Sequence, residues 1–301
     1  MSPYLGELAA LATSACWSAT ATFFAIASRK IGSTHVNRLR LLFALMLLLA
    51  THWLLVGRPL PWDAPSQAWV WFSLSGLVGF VIGDAFLFAS YVAVGARLGM
   101  LMMSLAPVIS TVLAAWVFGE HLTPIQLLGI AVTIAGVAWV VMDSRGSSQV
   151  AGGQRHYLTG ILFGLGAAAG QAIGLILSKQ GLVTGLAPLS GNVIRVTAAC
   201  LAIWLIAALQ RNASTTINRL RSDRTTLRPI ALGSFLGPFV GVWLSLIAIQ
   251  FTEIGVASTL MALPPVFMVP IGHYVFGEKI GWPSIAGTLV AILGVALLFL
   301  A

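Results

Sequence analysis

The sequence predicts an all-α integral membrane protein, with ten transmembrane helices arranged as two inverted five-helix repeats. Three observations predict it. First, 58% of the 301 residues are hydrophobic and only 8% are charged, against about 25% charged in an ordinary soluble domain. That leaves too little polar surface to face water, and a bilayer removes the difficulty. Second, apolar stretches such as 98–118 and 256–276 run for 21 residues each, close to the ~20 that cross a hydrocarbon core as a helix. Short segments alternating apolar and polar residues, as a membrane barrel requires, do not occur. Third, the chain repeats itself. Leu105-Ala106-Pro107-Val108 followed by Phe118-Gly119-Glu120 returns as Leu263-Pro264-Pro265-Val266 followed by Phe276-Gly277-Glu278, at an offset of 158.

Apolar runs between punctuation give spans near 5–27, 37–56, 68–91, 98–118 and 122–142 in the first half. The second half gives 157–179, 190–209, 229–250, 256–276 and 281–300. Residues 1–142 and 157–301 are therefore two repeats, joined by the Gly/Ser/Gln-rich linker 143–156. No early segment has the charged start, short apolar run and cleavage site of a signal peptide, so the first span is expected to target the chain. The same offset relates Gly79 to Gly237, Gly83 to Gly241, Gly129 to Gly287 and Gly136 to Gly294. Asn37-x-x-Arg40 returns as Asn192-x-x-Arg195 at offset 155. Glycines four apart on one helix face allow close backbone approach, which in lipid supplies the van der Waals contact that holds helices together.

Five spans per copy is an odd number, so the second copy enters the membrane from the opposite side. Two inverted halves that rock about a pseudo-two-fold axis expose a shared site to one side and then the other. The repeat and its parity together imply alternating access. Thirteen of the 16 Lys and Arg residues fall on one side of this layout. The positive-inside rule places that side in the cytoplasm and both termini outside. Most of this charge, net +8 over the chain, lies in loops, including Arg219, Arg221, Arg224 and Arg228 in 211–228. It speaks for topology and anionic headgroups rather than nucleic acid.

Few residues carry chemistry. Cys16 and Cys200 lie isolated inside spans and read as small core residues. No metal, nucleotide or hydrolase motif occurs, and no cofactor or catalytic activity is expected. Asp84 is the acidic residue deep within a span. A carboxylate there costs about 2.5–3.5 kcal/mol on insertion scales, so such groups face a cavity or a partner. Asp84 is a candidate proton acceptor or cation contact, and alternatively a static partner of Arg40 or Arg97. Its counterpart at offset 158 is Val242. Trp17 and Gln171 occupy equivalent places in spans 1 and 6, and with Trp243 are candidates to bind a polar or aromatic ligand; packing explains the tryptophans equally well. Pro107, Pro264, Pro265 and Pro270 interrupt spans 4 and 9. Breaks at matching places in two halves point to a binding region.

Other polar residues read as structural. Glu120 and Glu278 close their spans next to the following helix N-terminus, and suit a cap or tie across that turn. His273 sits one turn before Glu278 and can pair with it. Arg40 and Arg195, at the heads of spans 2 and 7, are expected to snorkel to the interface or tie spans together, with a hold on an anionic substrate group as the lesser reading. Tyr91 and Tyr274, near span ends, fit the aromatic belt.

The ten-span duplicated plan, the two Pro-Val…Phe-Gly-Glu copies and the two Asn-x-x-Arg motifs resemble the drug/metabolite transporter superfamily, and within it the EamA-type exporters. The resemblance covers essentially the whole chain. It implies a central cavity lined by spans 1, 3, 4, 6, 8 and 9, with spans 5 and 10 peripheral. It implies a multi-pass transporter of the bacterial inner membrane that exports amino acids, related metabolites or drug-like compounds, with protons as an optional coupling ion. Uptake or facilitated diffusion of sugar- or nucleotide-type metabolites is the alternative within the same fold, and a channel a more remote one. Relatives commonly keep both termini in the cytoplasm, whereas the charge count here places them outside.

Overall fold

The structure, a computed structural model, describes residues 4–118, 123–147, 153–252, 257, 260–278 and 280–297. Among these residues it is helical throughout, with no strand. Helix α1 covers Leu5–Ile31 and α2 Ser33–Val56. Helix α3 (Ser66–Gly76) runs through a π-helical segment, π1 (Leu77–Gly83), into α4 (Asp84–Met103). Helices α5 (Ala106–Phe118), α6 (Pro124–Ser147), α7 (Gly153–Val183) and α8 (Pro188–Leu209) follow. A short helix α9 (Ala213–Ser222) precedes α10 (Leu227–Ser234), a second π segment, π2 (Phe235–Gly241), and α11 (Val242–Phe251). Helices α12 (Pro264–Phe276) and α13 (Trp282–Leu297) complete the described chain.

Seven helices among the described residues are long and apolar enough to cross a membrane, where the sequence predicts ten spans. The difference lies in how helices break. Predicted span 3 and the start of span 4 lie in one continuous stretch of 38 residues, Ser66–Met103. A turn without a loop is folded into it at Gly95, whose φ of 87° and ψ of 162° are not helical. Only a residue without Cβ takes that conformation at little cost. Helices α5 and α12, 13 residues each, are the later parts of predicted spans 4 and 9, and α13 has 16 residues.

Helix breaks recur at the offset seen in the sequence. π2 follows π1 by 158 residues, and α12 follows α5 by the same interval. Each π turn leaves a carbonyl outside the regular i→i−4 ladder. In the first half the amide Nδ2 of Asn37 donates to the Phe80 carbonyl at 3.2 Å. In the second, Nδ2 of Asn192 donates to the Pro238 carbonyl at 2.9 Å. The repeated asparagines thus serve the repeated π segments.

Packing is cross-wise between the halves. α7 lies against π1, where a Cβ built on Gly170 falls 2.7 Å from Gly83 Cα. α1 lies against π2, where a Cβ on Gly237 falls 2.7 Å from Thr20 Cγ2. Helices α6 and α13 form a seam of their own. A Cβ on Gly136 meets Ala291 N at 2.4 Å, and one on Gly294 meets Thr133 N at 2.3 Å. α9 is tied down by Arg38, whose Nη1 donates to Thr216 Oγ1 at 3.1 Å.

Candidate functional site

The matched breaks surround a cavity of about 140 Å3. Trp17, Thr20 and Phe24 of α1 form one wall, with Asp84, Phe88 and Tyr91 of α4 on another. Pro107 and Ser110 of α5, Gln171 of α7, Pro238 of π2 and the Pro264–Pro265 pair of α12 complete it. Five of the six leading sequence candidates, Trp17, Asp84, Pro107, Gln171 and Pro265, therefore converge on one space. Trp243 does not line it; its ring packs on Phe239 at 6.2 Å between centroids. Neither α6 nor α13 contributes. Arg40 of α2 does, although the sequence resemblance leaves span 2 out of the lining.

The prolines lie where new helices start. Pro107 is the second residue of α5, and Pro264 and Pro265 are the first two of α12. A missing N–H costs nothing there. Serine hydroxyls meet carbonyls just upstream of both breaks. The Ser104 hydroxyl donates to Leu101 O at 2.6 Å, and Ser14 of α1 donates to Leu260 O.

Asp84 directly follows the last residue of π1, which aims its carboxylate at α2. Oδ2 forms an ion pair with Arg40 Nη2. Arg40 Nε donates to Asn37 Oδ1 at 2.8 Å, and Nη2 also reaches Phe80 O at 3.3 Å. The Phe24, Phe80 and Phe88 rings surround the guanidinium with centroids at 5.9, 5.6 and 5.0 Å. Of the two partners foreseen for Asp84, Arg40 is the one found. Arg97 instead pairs with Glu278, Nε to Oε2 at 2.6 Å, and donates to Ser284 Oγ at 2.7 Å.

Several sequence expectations need correction. Of the two roles expected of Arg40 and Arg195, snorkelling falls, since they are 3% and 4% exposed, whereas Arg40 does tie α2 to α4 through Asp84. Helices α2 and α8 begin at Ser33 and Pro188, ahead of the predicted span heads, so both arginines sit two turns inside. Arg195 packs on the Phe80 ring at 4.6 Å. Tyr91 is not a belt residue; it is buried and donates its hydroxyl to Met100 Sδ at 2.9 Å. Tyr274, 84% exposed, fits the belt. Glu278 ties to α4 rather than to its own turn, and His273 Nδ1 meets the backbone oxygen of Glu278 at 3.3 Å, not its carboxylate. Glu120 lies outside the described residues. Sequence reasoning missed the aromatic cage around Arg40, since Phe24, Phe80 and Phe88 share no local pattern with it and 15 phenylalanines are spread along the chain. It also missed the π segments, for which Gly79-x-x-x-Gly83, Gly237-x-x-x-Gly241 and Pro238 were the available signals.

No described group of His, Cys, Asp and Glu is placed to hold a metal ion. Helices long and apolar enough to cross a membrane, gathered around a small and mostly apolar cavity, are the architecture of a membrane transporter. The chain belongs to the EamA-like transporter family, whose model matches residues 4–142 and 158–300. It is similar to a protein named as a probable terminal-alkyne amino-acid exporter from Streptantibioticus cattleyicolor, with 32% identity over 149 residues. That match spans half of this chain and 43% of the relative. A solved structure titled "Crystal structure of protein" shares the fold, with a TM-score of 0.62 and 16% identity, covering 97% of this chain and 94% of that one.

Proposed function

We propose that this protein is a secondary transporter of the bacterial inner membrane that exports small metabolites, such as amino acids or drug-like compounds, by alternating access. The ten-span, two-repeat plan, with each copy inverted relative to the other, is part of this reading. The observation that carries it is the cavity itself, bounded by helix breaks that recur at one offset in both halves. Export is supported by the name of the amino-acid exporter that half of the chain matches. No catalytic step is needed: the walls supply shape, one ion pair and a few hydroxyls and amides, which bind and release rather than react. Because Asp84 is held by Arg40, proton coupling through Asp84 requires that pair to open, and gradient-independent exchange does not.

The test is transport in proteoliposomes with and without a pH gradient, using the wild type and Asp84→Asn, with labelled amino acids as first substrates. Saturable counterflow supports a carrier, and single-channel currents sink it. Flux that responds to the gradient in the wild type and not in Asp84→Asn assigns coupling to Asp84.

A further inference from the structure

Charge does not balance beside the cavity. Arg40, Asp84 and Arg195 form one cluster: Arg40 and Asp84 are ion-paired, and Asp84 is the carboxylate whose charge acts on Arg195. Both guanidiniums pack on the same Phe80 ring, at 5.6 and 4.6 Å. Two cations therefore share one anion. Arg195 is 4% exposed, and its Nε is buried without a hydrogen-bond partner among the described residues. An uncompensated charge in such surroundings costs several kcal/mol, so this arrangement favours a ligand that brings the missing negative charge.

The rest of the cavity limits what that ligand looks like. Arg40 lines the space, with Nε and Nη2 committed to Asn37, Phe80 and Asp84. Nη1 is left for an incoming group. Around it stand Trp17, Phe24, Leu87, Phe88 and Met100. One free guanidinium nitrogen can donate a charge-assisted hydrogen bond to an anionic oxygen, and in so small and apolar a space a carboxylate fits more readily than the bulkier phosphate.

We propose that the cavity selects compounds carrying a carboxylate on an apolar body. The carboxylate docks at the Arg40–Phe80 wall, and Arg195, behind that ring, supplies the balancing charge. This rests on the cavity being the substrate site, as proposed above. Arg195 acts on the ligand through the Phe80 ring and the local field, without touching it.

The experiment compares four probes of one size on the purified full-length protein by calorimetry and thermal shift: phenylalanine, 3-phenylpropanoate, phenylalaninamide and 2-phenylethylamine. The two carboxylates are expected to bind at least about tenfold more tightly than the other two, the worth of one charged hydrogen bond. Arg195→Gln is expected to reduce that preference severalfold, whereas Arg195→Lys, which keeps the charge, retains it. Equal binding of all four probes to the wild type overturns the inference, and so does a preference that Arg195→Gln leaves undiminished. If a sugar, a nucleoside or a quaternary amine binds and the carboxylates do not, the carrier reading stands and the carboxylate inference falls. If no probe of any class binds, both fall together.

Discussion

Asn37 and Asn192 do the same work in opposite halves. Each donates its side-chain amide to a carbonyl of a π segment, Phe80 O at 3.2 Å and Pro238 O at 2.9 Å. The two acceptors are 158 residues apart and the two donors 155. The Asn-x-x-Arg motif is thus a device for holding open a wide turn next to the cavity, and in the first half its arginine adds the link to Asp84.

Replacing Asn192 takes its side-chain donor from the Pro238 carbonyl, and replacing Asn37 leaves the Phe80 carbonyl with Arg40 Nη2 as its remaining side-chain donor, at 3.3 Å. Asn37→Ala and Asn192→Ala should each lower stability by about 1–3 kcal/mol, read as a drop in the thermal unfolding midpoint in detergent. Asn37→Ala should cost more, because Asn37 Oδ1 also accepts from Arg40 Nε at 2.8 Å. Equal losses at the two sites would show that the arginine is positioned without it.

The buried pair should be far more sensitive than the peripheral one. Arg40 and Asp84 side chains are 3% and 15% exposed, whereas Arg97 and Glu278 are 12% and 27% exposed. Removing one partner of a buried pair costs about 3–5 kcal/mol, because the other charge is stranded. Asp84→Asn is therefore expected to destabilise clearly more than Glu278→Gln in parallel melts. The reverse order would mean that water reaches Asp84 freely.

How much of this was legible beforehand follows from what each signal reports. The proline and glycine coincidences marked where helices break and where they touch, because those residues are selected by backbone geometry alone. The matched breaks singled out Pro107 and Pro265, while Asp84, Trp17 and Gln171 stood out by residue type and place in the repeat; that all five line one cavity is seen only in the structure. Arg40 and Arg195 were misplaced because span heads were set by hydropathy, and the polar first turns at Ser33 and Pro188 carry little of it. The pairing of Glu278 with Arg97 joins residues 181 apart in sequence, which no local pattern can report.

At the seam, Gly136→Val is expected to lower the unfolding midpoint sharply, since even a Cβ there falls 2.4 Å from Ala291 N. Filling a site closed by backbone on the other side forces a helix to shift, at a cost of about 1–3 kcal/mol or more. Gly57→Ala offers a control, because a Cβ there has no neighbour within 4 Å; its φ of 81° carries only local strain.

Orientation is open to a direct check. With the basic loops in the cytoplasm, a reporter active only outside should report from both termini and stay silent in the 143–156 linker. The opposite result would overturn the orientation read from charge, because leaving out the buried Arg38 and Arg40 on one side and Arg195 on the other still leaves the basic residues 11 to 2 in its favour.

The α6–α13 seam has a mechanical meaning. At Gly136 and Gly294 backbone rests on backbone, and the Val140 and Thr133 side chains fill what space remains beside Gly287 and Gly294. Such a joint has no slack, so the two halves are stitched along one edge. Any change in cavity width must be absorbed on the other edge, at elements with freedom to bend: the Gly95 turn and the two π segments. Locking Gly95 should therefore hold the cavity at one width without altering any residue that lines it.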